Sequence, residues 1–248
     1  MLSVVCWQWK TPGFRSDYTA ERVNIFGAMV RRHYPHPHRL ICITDDADGI
    51  DSSIETVPLW DDHRQVPSPH GGGHPSCYVR LKAFAPEMRD ILGERFVSVD
   101  LDCVITGDMS PLWNRTEDFL IWHHALPRPG KNGPRNRVNG SMWMMTAGAR
   151  AEVWERFKGM PSGVEAYRAG FHGSDQGWMQ YVMGLEHGWK DTDGIYSFKY
   201  EVLHKHNGIL PPNARIVMFH GKPDPWDAEA QRCPWVRKHY KGAEVACL

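Results

Sequence analysis

Apolar runs alternating with amphipathic stripes predict an α/β protein: a single domain with a mainly parallel central sheet flanked by helices. Three observations carry this expectation. Short runs such as SVVC, LICI and FVSV, bounded by turn residues, read as buried strands. Between them lie stretches whose apolar residues recur at helical spacing. A length of 248 residues suits one α/β domain with a substantial core.

In chain order, LSVVCW is the first strand. A Gly/Pro turn leads to a helix from about Asp17 to His33, striped by Val23, Phe26 and Val30. RLICITDD is a second strand ending in acids, and IETVPL a third. DDHRQVPSPHGGGHPS is too rich in Pro, Gly and His for regular structure, and a loop of that length points to function. A helix striped by Leu81, Phe84, Met88 and Ile91 follows, divided or kinked by Pro86 and stopped by Gly93. FVSVDLDCVITG comes next as a strand. FLIWHH and SMWMMTAG are strands flanking the basic loop RPGKNGPRNRVNG, while ARAEVWERFKGM and SDQGWMQYVMG are helical. ARIVMFHG is the last clear strand, and KPDPWDAEAQRCPWVRKHY wraps the surface.

Composition excludes several classes. Apolar residues make up 42%, charged residues 23%, and the net charge is zero, which fits neither disorder nor general nucleic-acid binding. No run approaches the roughly 18 apolar residues of a membrane span, and MLSVVCWQWK is too short for a signal peptide, so a cytoplasmic protein is expected. Six scattered cysteines without a C-x-x-C pair imply buried thiols rather than a disulfide framework. The eleven tryptophans suit core packing above all, and stacking on bases or sugars for the remainder.

The densest chemistry lies in FVSVDLDCVITG. In an extended strand Ser98, Asp100 and Asp102 share one face, while Val97, Val99, Leu101 and Cys103 point into a core. Two carboxylates about 7 Å apart on one face repel unless solvated or bridged, and a hard divalent cation with phosphate oxygens bridges them well. Strands alternating with helices also favour ligand binding at the strands' carboxyl ends, where this pair sits. A solvated turn is the competing account of a D-x-D triplet.

VSVDLDCVITGDMSPLW, NGSMWMMTAG, GSDQ and VMFHGKPDPW together resemble the nucleotide-sugar glycosyltransferases of the GT-A fold, especially the glycogenin and bacterial galactosyltransferase-like group. The resemblance is strongest over 80–113 and 217–226. It implies a GT-A type single domain, with 1–105 a nucleotide-binding half and 106–248 a half that completes the metal and acceptor sides. It further implies transfer of a hexose from a nucleoside diphosphate sugar, with UDP the expected carrier, to an acceptor hydroxyl with retention. Mn²⁺ or Mg²⁺ on the donor diphosphate would be held by Asp100, Asp102 and His220. Gly221 lets backbone approach an anion, and Lys222 adds a point charge for phosphate. The resemblance places Arg80 and Lys82 near the phosphates, although both could be solvated helix charges. Asp175 and Gln176 map beside the reacting sugar, and Asn139 and Ser141 onto the loop facing it. The alternatives are a first-turn acid behind an N-cap at Ser174, and a plain N-G-S turn. Cys6, Trp7 and Lys10 map to the base, Asp45 or Asp46 to the ribose.

Other clusters weigh less. His70, His74 and Cys77 lack a fourth partner for zinc. Arg128, Lys131, Arg135 and Arg137 could close over the diphosphate or meet an anionic acceptor, but charged loops are usually solvated. A sugar nucleotidyltransferase needs a Gly-rich basic loop after the first strand, and CWQWKTPGFRSDY has one Gly. A carbohydrate- or nucleotide-binding protein without activity is the non-enzyme reading.

Overall fold

The computed structural model describes residues 1–11, 18–69, 76–123 and 137–241. Its strands are β1 (Leu2–Gln8), β2 (His38–Thr44), β3 (Glu55–Pro58), β4 (Arg95–Val99), β5 (Cys103–Ile105), β6 (Phe119–His123), β7 (Val138–Thr146), β8 (Gly188–Trp189), β9 (Ile195–Ser197) and β10 (Ile216–Met218). Among the described residues they form a seven-stranded sheet, ordered β3-β2-β1-β4-β7-β6-β8, and a three-stranded sheet, β5-β10-β9. In the large sheet β3, β2, β1 and β4 are parallel, and β7 runs antiparallel to β4 and β6. The expected mainly parallel α/β sheet is therefore present. Strands β6 and β7 extend the sheet begun by β1 to β4, so both halves of the chain share it.

All seven residues of β1 are buried, because helices and loops cover both faces of the sheet. Alternation sorts its side chains: Leu2, Val4 and Cys6 join one apolar layer, Val5 and Trp7 the other. In β7, Met142 and Met144 pack into the first layer and Trp143 and Met145 into the second. Trp143 stacks on Phe84 with centroids 4.8 Å apart and meets Phe96 edge-on at 5.5 Å, pairs worth about 0.5–1.5 kcal/mol each. Seven of the eleven tryptophans are buried in the core.

Several local expectations are corrected. The helix from about Asp17 begins at Ala20; Asp17 itself lies outside the described residues. The single helix through Leu81 and Ile91 is instead a 3-10 segment Tyr78–Phe84, a turn Pro86–Met88 and a short helix Arg89–Leu92. Pro86 lacks the N–H that would continue the ladder and biases Ala85 towards extended backbone, so the chain restarts there. The ARAEVWERFKGM helix keeps one turn, Glu152–Glu155, followed by a helix Met160–Arg168 that its Pro and Gly had concealed. Asn139 and Gly140 lie within β7, not in a turn. The tail contains a helix, Pro234–Tyr240. No described helix is long and apolar enough to cross a membrane.

Candidate active site

The apolar layering of FVSVDLDCVI is as expected, with Val97, Val99, Leu101 and Cys103 in one layer, but Asp100 and Asp102 do not share one strand face. The strand stops at Val99 and resumes at Cys103 in the other sheet. Asp100 N–H donates to Ser141 O at 2.8 Å, prolonging the β4–β7 ladder. Phe219 N–H donates to Asp102 O at 2.8 Å, prolonging β5–β10. Each aspartate is thus pinned to a different sheet, and the second ladder brings the segment carrying His220 beside Asp102.

Arg80 organises the centre. The 3-10 segment turns its side chain inward, leaving it 6% exposed between two carboxylates. Its Nε and Nη2 donate to Asp175 Oδ2 at 2.8 and 2.5 Å, and its Nη1 donates to Asp100 Oδ1. Burial opposes the charge on Arg80, but Asp100 and Asp175 hold its pKa well above the ordinary value. Burial pushes the Asp175 carboxyl up, against the pull of Arg80. The planar guanidinium fork serves both acids at once.

Strand β7 closes one side. Gln176 Oε1 accepts from Gly140 N–H at 3.2 Å, and Asn139 Oδ1 accepts from Ser141 N–H at 2.8 Å. A Cβ at Gly140 would lie 3.1 Å from Arg80 Nη2 and 3.5 Å from Asp175 Oδ2, so this glycine permits the close approach. Asp175 opens the helix Asp175–Met183. Ser174 occupies the N-cap position but makes no capping bond; its hydroxyl accepts from Cys77 N–H at 3.0 Å, which ties that helix to the Arg80 segment. Arg80, Asp100, Asn139, Gly140, Ser141, Asp175 and Gln176 therefore form one contiguous group.

Other candidates fall elsewhere. Lys82 turns away from Arg80 to pair with Asp62 at 2.5 Å, its ammonium 5.9 Å from the Trp60 ring centre. The Cys6 thiol faces the core against Cys42, whose hydrogen bond, with burial, raises its pKa well above the ordinary value, so a base cannot meet that side chain. Trp7 is buried, with Nε1 donating to Ser98 Oγ at 2.8 Å. Lys10 pairs with Asp46 at 2.6 Å; Asp45 accepts from Lys10 N–H at 3.3 Å and pairs with Arg64, giving a charged cluster at the carboxyl ends of β1 and β2. Lys222 pairs with Asp224 at 2.8 Å and Asp227 at 3.1 Å. Gly221 has φ +91°, a conformation L side chains rarely adopt.

His220 Nε2 lies 2.8 Å from Ser197 Oγ. Two carboxylates and an imidazole suit Mn²⁺ or Mg²⁺ chemically. Among the described residues no three Asp, Glu, His or Cys side chains converge as a ready ligand group, because Asp100 is turned to Arg80 and His220 to Ser197. His70, His74, Arg128, Lys131 and Arg135 lie outside the described residues. Arg137 donates its N–H to Gln180 Oε1, and burial pushes the Cys77 thiol up to about 12, which keeps it protonated. Arg64, Gly140 and Ser197 were not singled out from the sequence: neither the loop around Arg64 nor IYSFKY around Ser197 carries a local pattern that marks it.

No family model matches the sequence, and no curated protein matches it. Solved structures do resemble it. The galactosyltransferase LgtC, in complex with donor and acceptor sugar analogs, aligns over 95% of this chain and 93% of its own with a TM-score of 0.64 at 14% identity. The glycosyltransferase GlyE in Streptococcus pneumoniae TIGR4 aligns over 92% of this chain and 57% of its own, with a TM-score of 0.54 at 13% identity. This chain has the fold of those glycosyltransferases, the GT-A fold.

Proposed function

We propose that this GT-A chain is a metal-dependent glycosyltransferase that moves a hexose from a nucleoside diphosphate sugar, with UDP the expected carrier, to an acceptor hydroxyl with retention of configuration. The observation that carries the reading is the buried Arg80 fork between Asp100 and Asp175, under Gly140 and beside Gln176, near the carboxyl end of β4. Burying Arg80 with Asp175, beside a partly exposed Asp100, costs more than it returns in stability unless the group has another use. In this reading 1–105 binds the nucleotide and 106–248 completes the metal and acceptor sides. The free thiols among the described residues suit a cytoplasmic setting.

Asp100, Asp102 and His220 are the residues that would hold Mn²⁺ or Mg²⁺. When bound, that ion neutralises charge developing on the departing diphosphate. Asp100 must then share its carboxylate between the cation and Arg80. Lys222 is 54% exposed, so its ammonium can exchange Asp224 and Asp227 for a phosphate oxygen. Lys10, Lys82 and the Asp45–Arg64 pair rim the nucleotide side. Trp7 contributes backbone there, as does Cys6. Asn139 and Ser141 face the sugar. Asp175 or Gln176 stabilises positive charge at the anomeric carbon or bonds to it briefly, Arg80 holds the Asp175 carboxyl in place, and the diphosphate accepts the incoming hydroxyl's proton.

The test is release of free nucleoside diphosphate from a panel of nucleotide sugars with and without Mn²⁺. Turnover should require the ion, and Asp100→Asn or Asp102→Asn should abolish it, a loss of several kcal/mol in transition-state stabilisation. Variants within about tenfold of wild type would sink the assignment. Binding without any hydrolysis or transfer would leave a nucleotide-sugar binder.

A further inference from the structure

The far corner of the sheet's carboxyl edge carries an inference that rests on the reading just proposed and names its acceptor class. β7 runs antiparallel to both β4 and β6, and β8 is parallel to β6, so β4, β6 and β8 point the same way and end on the edge that bears Asp100. There His123, the last residue of β6, pairs with Val138 of β7, and Lys190 follows Trp189, the partner of Trp122. Trp122 and Trp189 belong to one apolar layer and Val138 to the other, so alternation puts His123 and Lys190 on the Val138 side, where Trp178 and Met179 of the helix Asp175–Met183 pack. Two glutamines one turn apart tie that helix along β7: Gln176 accepts from Gly140 N–H at 3.2 Å and Gln180 from Arg137 N–H at 3.0 Å. Arg137 lies three residues from Gly140, about 10 Å along the strand. That distance suits an acceptor of one or two sugar units whose hydroxyl stands beside Asp175 and Gln176.

This corner is cationic. The half-buried His123 ring lies across Gly188, where a Cβ would strike it, and its Nε2 is 3.0 Å from Glu186 O. A carbonyl only accepts, so Nε2 carries a proton. Burial, with Lys190, Arg137 and His187 behind it, holds the His123 pKa below the ordinary 6.5 against the pull of that carbonyl. Arg137, His187 and Lys190 are exposed, and among the described residues none of them is ion-paired. The acids close in sequence are engaged elsewhere: Glu186 with Arg150 at 2.7 Å, Asp193 with Lys190 N–H at 2.9 Å and Asp191 with Thr192 N–H at 2.9 Å. We propose that the acceptor is an anionic sugar, whose carboxylate or phosphate is received by Arg137 and Lys190, with His187 beside them, while its hydroxyl reaches the Arg80–Asp175 centre. The planar guanidinium of Arg137 matches either oxyanion through two parallel N–H donors, and Lys190 adds a point charge. A neutral acceptor gains nothing from these groups.

The experiment titrates the full-length protein, saturated with UDP and Mg²⁺ so that the donor's phosphate contacts are filled, at fixed ionic strength. The probes are glucose, glucuronic acid and glucose 6-phosphate, which share one ring and differ in charge at one end. The His123 ¹H–¹⁵N signals are followed up to tens of millimolar probe in wild type and in the double variant Arg137→Gln/Lys190→Gln, which changes exposed side chains only. An exposed ion pair contributes up to about fivefold in binding, so with two cations an anionic sugar should bind at least about fivefold more tightly than glucose. It should also raise the His123 pKa, and the double variant should lose both effects. Binding of one anion alone supports the site and fixes which group the acceptor carries. Equal binding of all three probes, no binding of any, or a preference that survives in the double variant overturns the inference. Release of nucleoside diphosphate by wild type with Mn²⁺ tests the underlying reading separately. Metal-dependent release without an anion preference overturns the acceptor class alone, whereas an anion preference without any release overturns the acceptor role together with the glycosyltransferase reading.

Discussion

At the residue scale the Arg80 fork decides what the site tolerates. Lysine keeps the charge but cannot bond Asp175 twice and Asp100 once from a single nitrogen, because the planar fork is lost. Arg80→Lys should reduce kcat/KM at least about a hundredfold, and Arg80→Met should also cost about 3–5 kcal/mol of stability, since it leaves Asp175 buried without its cation. Steady-state kinetics and urea unfolding measure the two effects; an Arg80→Lys enzyme within threefold of wild type would refute the assigned role. Asp175→Asn separates binding from chemistry. Turnover should fall while nucleotide affinity, measured by calorimetry, stays within about threefold, because the interaction strengthens mainly in the transition state. A large loss of nucleotide affinity would instead put Asp175 in ground-state binding.

At the element scale two contacts give stability predictions. The helix Ala20–His33 packs against Pro234–Tyr240, where the His33 and His239 rings lie 6.0 Å apart and Arg32 Nη2 donates to His239 O at 2.5 Å. Burial, with Lys238, His33 and Arg32 nearby, lowers His239 to about 4; burial and Arg32 also lower His33, which Asp108 partly offsets. A histidine depressed in the folded state is charged first in the unfolded chain. Stability is therefore intact above the ordinary 6.5 and declines as pH falls towards 4. Tm should be lower at pH 5 than at pH 7.5, and His239→Gln should flatten that dependence; an unchanged slope would rule out this pair as its source. The second contact is Gly163 in the helix Met160–Arg168, where an added Cβ would strike the buried Tyr78 hydroxyl. Gly→Ala in a helix ordinarily stabilises by up to about 1 kcal/mol. Here Gly163→Ala should destabilise by about 1–3 kcal/mol in urea unfolding, with partial recovery in a Tyr78→Phe background. A neutral or stabilising Gly163→Ala would show that Tyr78 can move aside.

At the scale of the whole molecule, a nucleotide sugar and Mn²⁺ should stabilise the fold together and not separately. Ligand at about a hundred times Kd adds about 2.7 kcal/mol, which for a chain of this size raises Tm by roughly 5–10 °C. A thermal-shift screen over bases and sugars measures it, and equal shifts without Mn²⁺ would argue against a cation on the diphosphate. The product's anomeric configuration tests the chemistry. Proton NMR should show an α-linked product from an α-linked donor, since the proposed mechanism assigns no separate carboxylate to deprotonate the acceptor from the opposite face. A β-linked product would overturn both the proposed role of Asp175 or Gln176 and the retaining mechanism.

Sequence alone determined what depends on local pattern. Continuous apolar runs announced β1, β2 and β4, because strands covered on both faces need apolar side chains throughout, and alternation correctly sorted Val97, Val99, Leu101 and Cys103 into one layer. Acids at a strand's end marked Asp100 and Asp102 as unusual before any contact was known. Tertiary structure alone decided where these groups point. The break between Val99 and Cys103 exists because Asp100 is bonded to β7 and Asp102 to the segment after β10, partners far along the chain. Arg80 and Lys82, two residues apart, reach opposite destinations because Asp100 and Asp175 stand on one side of a 3-10 turn and Asp62 on another. Ser197 acquires its histidine through the pairing of β9 with β10. Side-chain pattern records the environment each residue requires, whereas the partner that supplies it is chosen by register and packing across the whole fold.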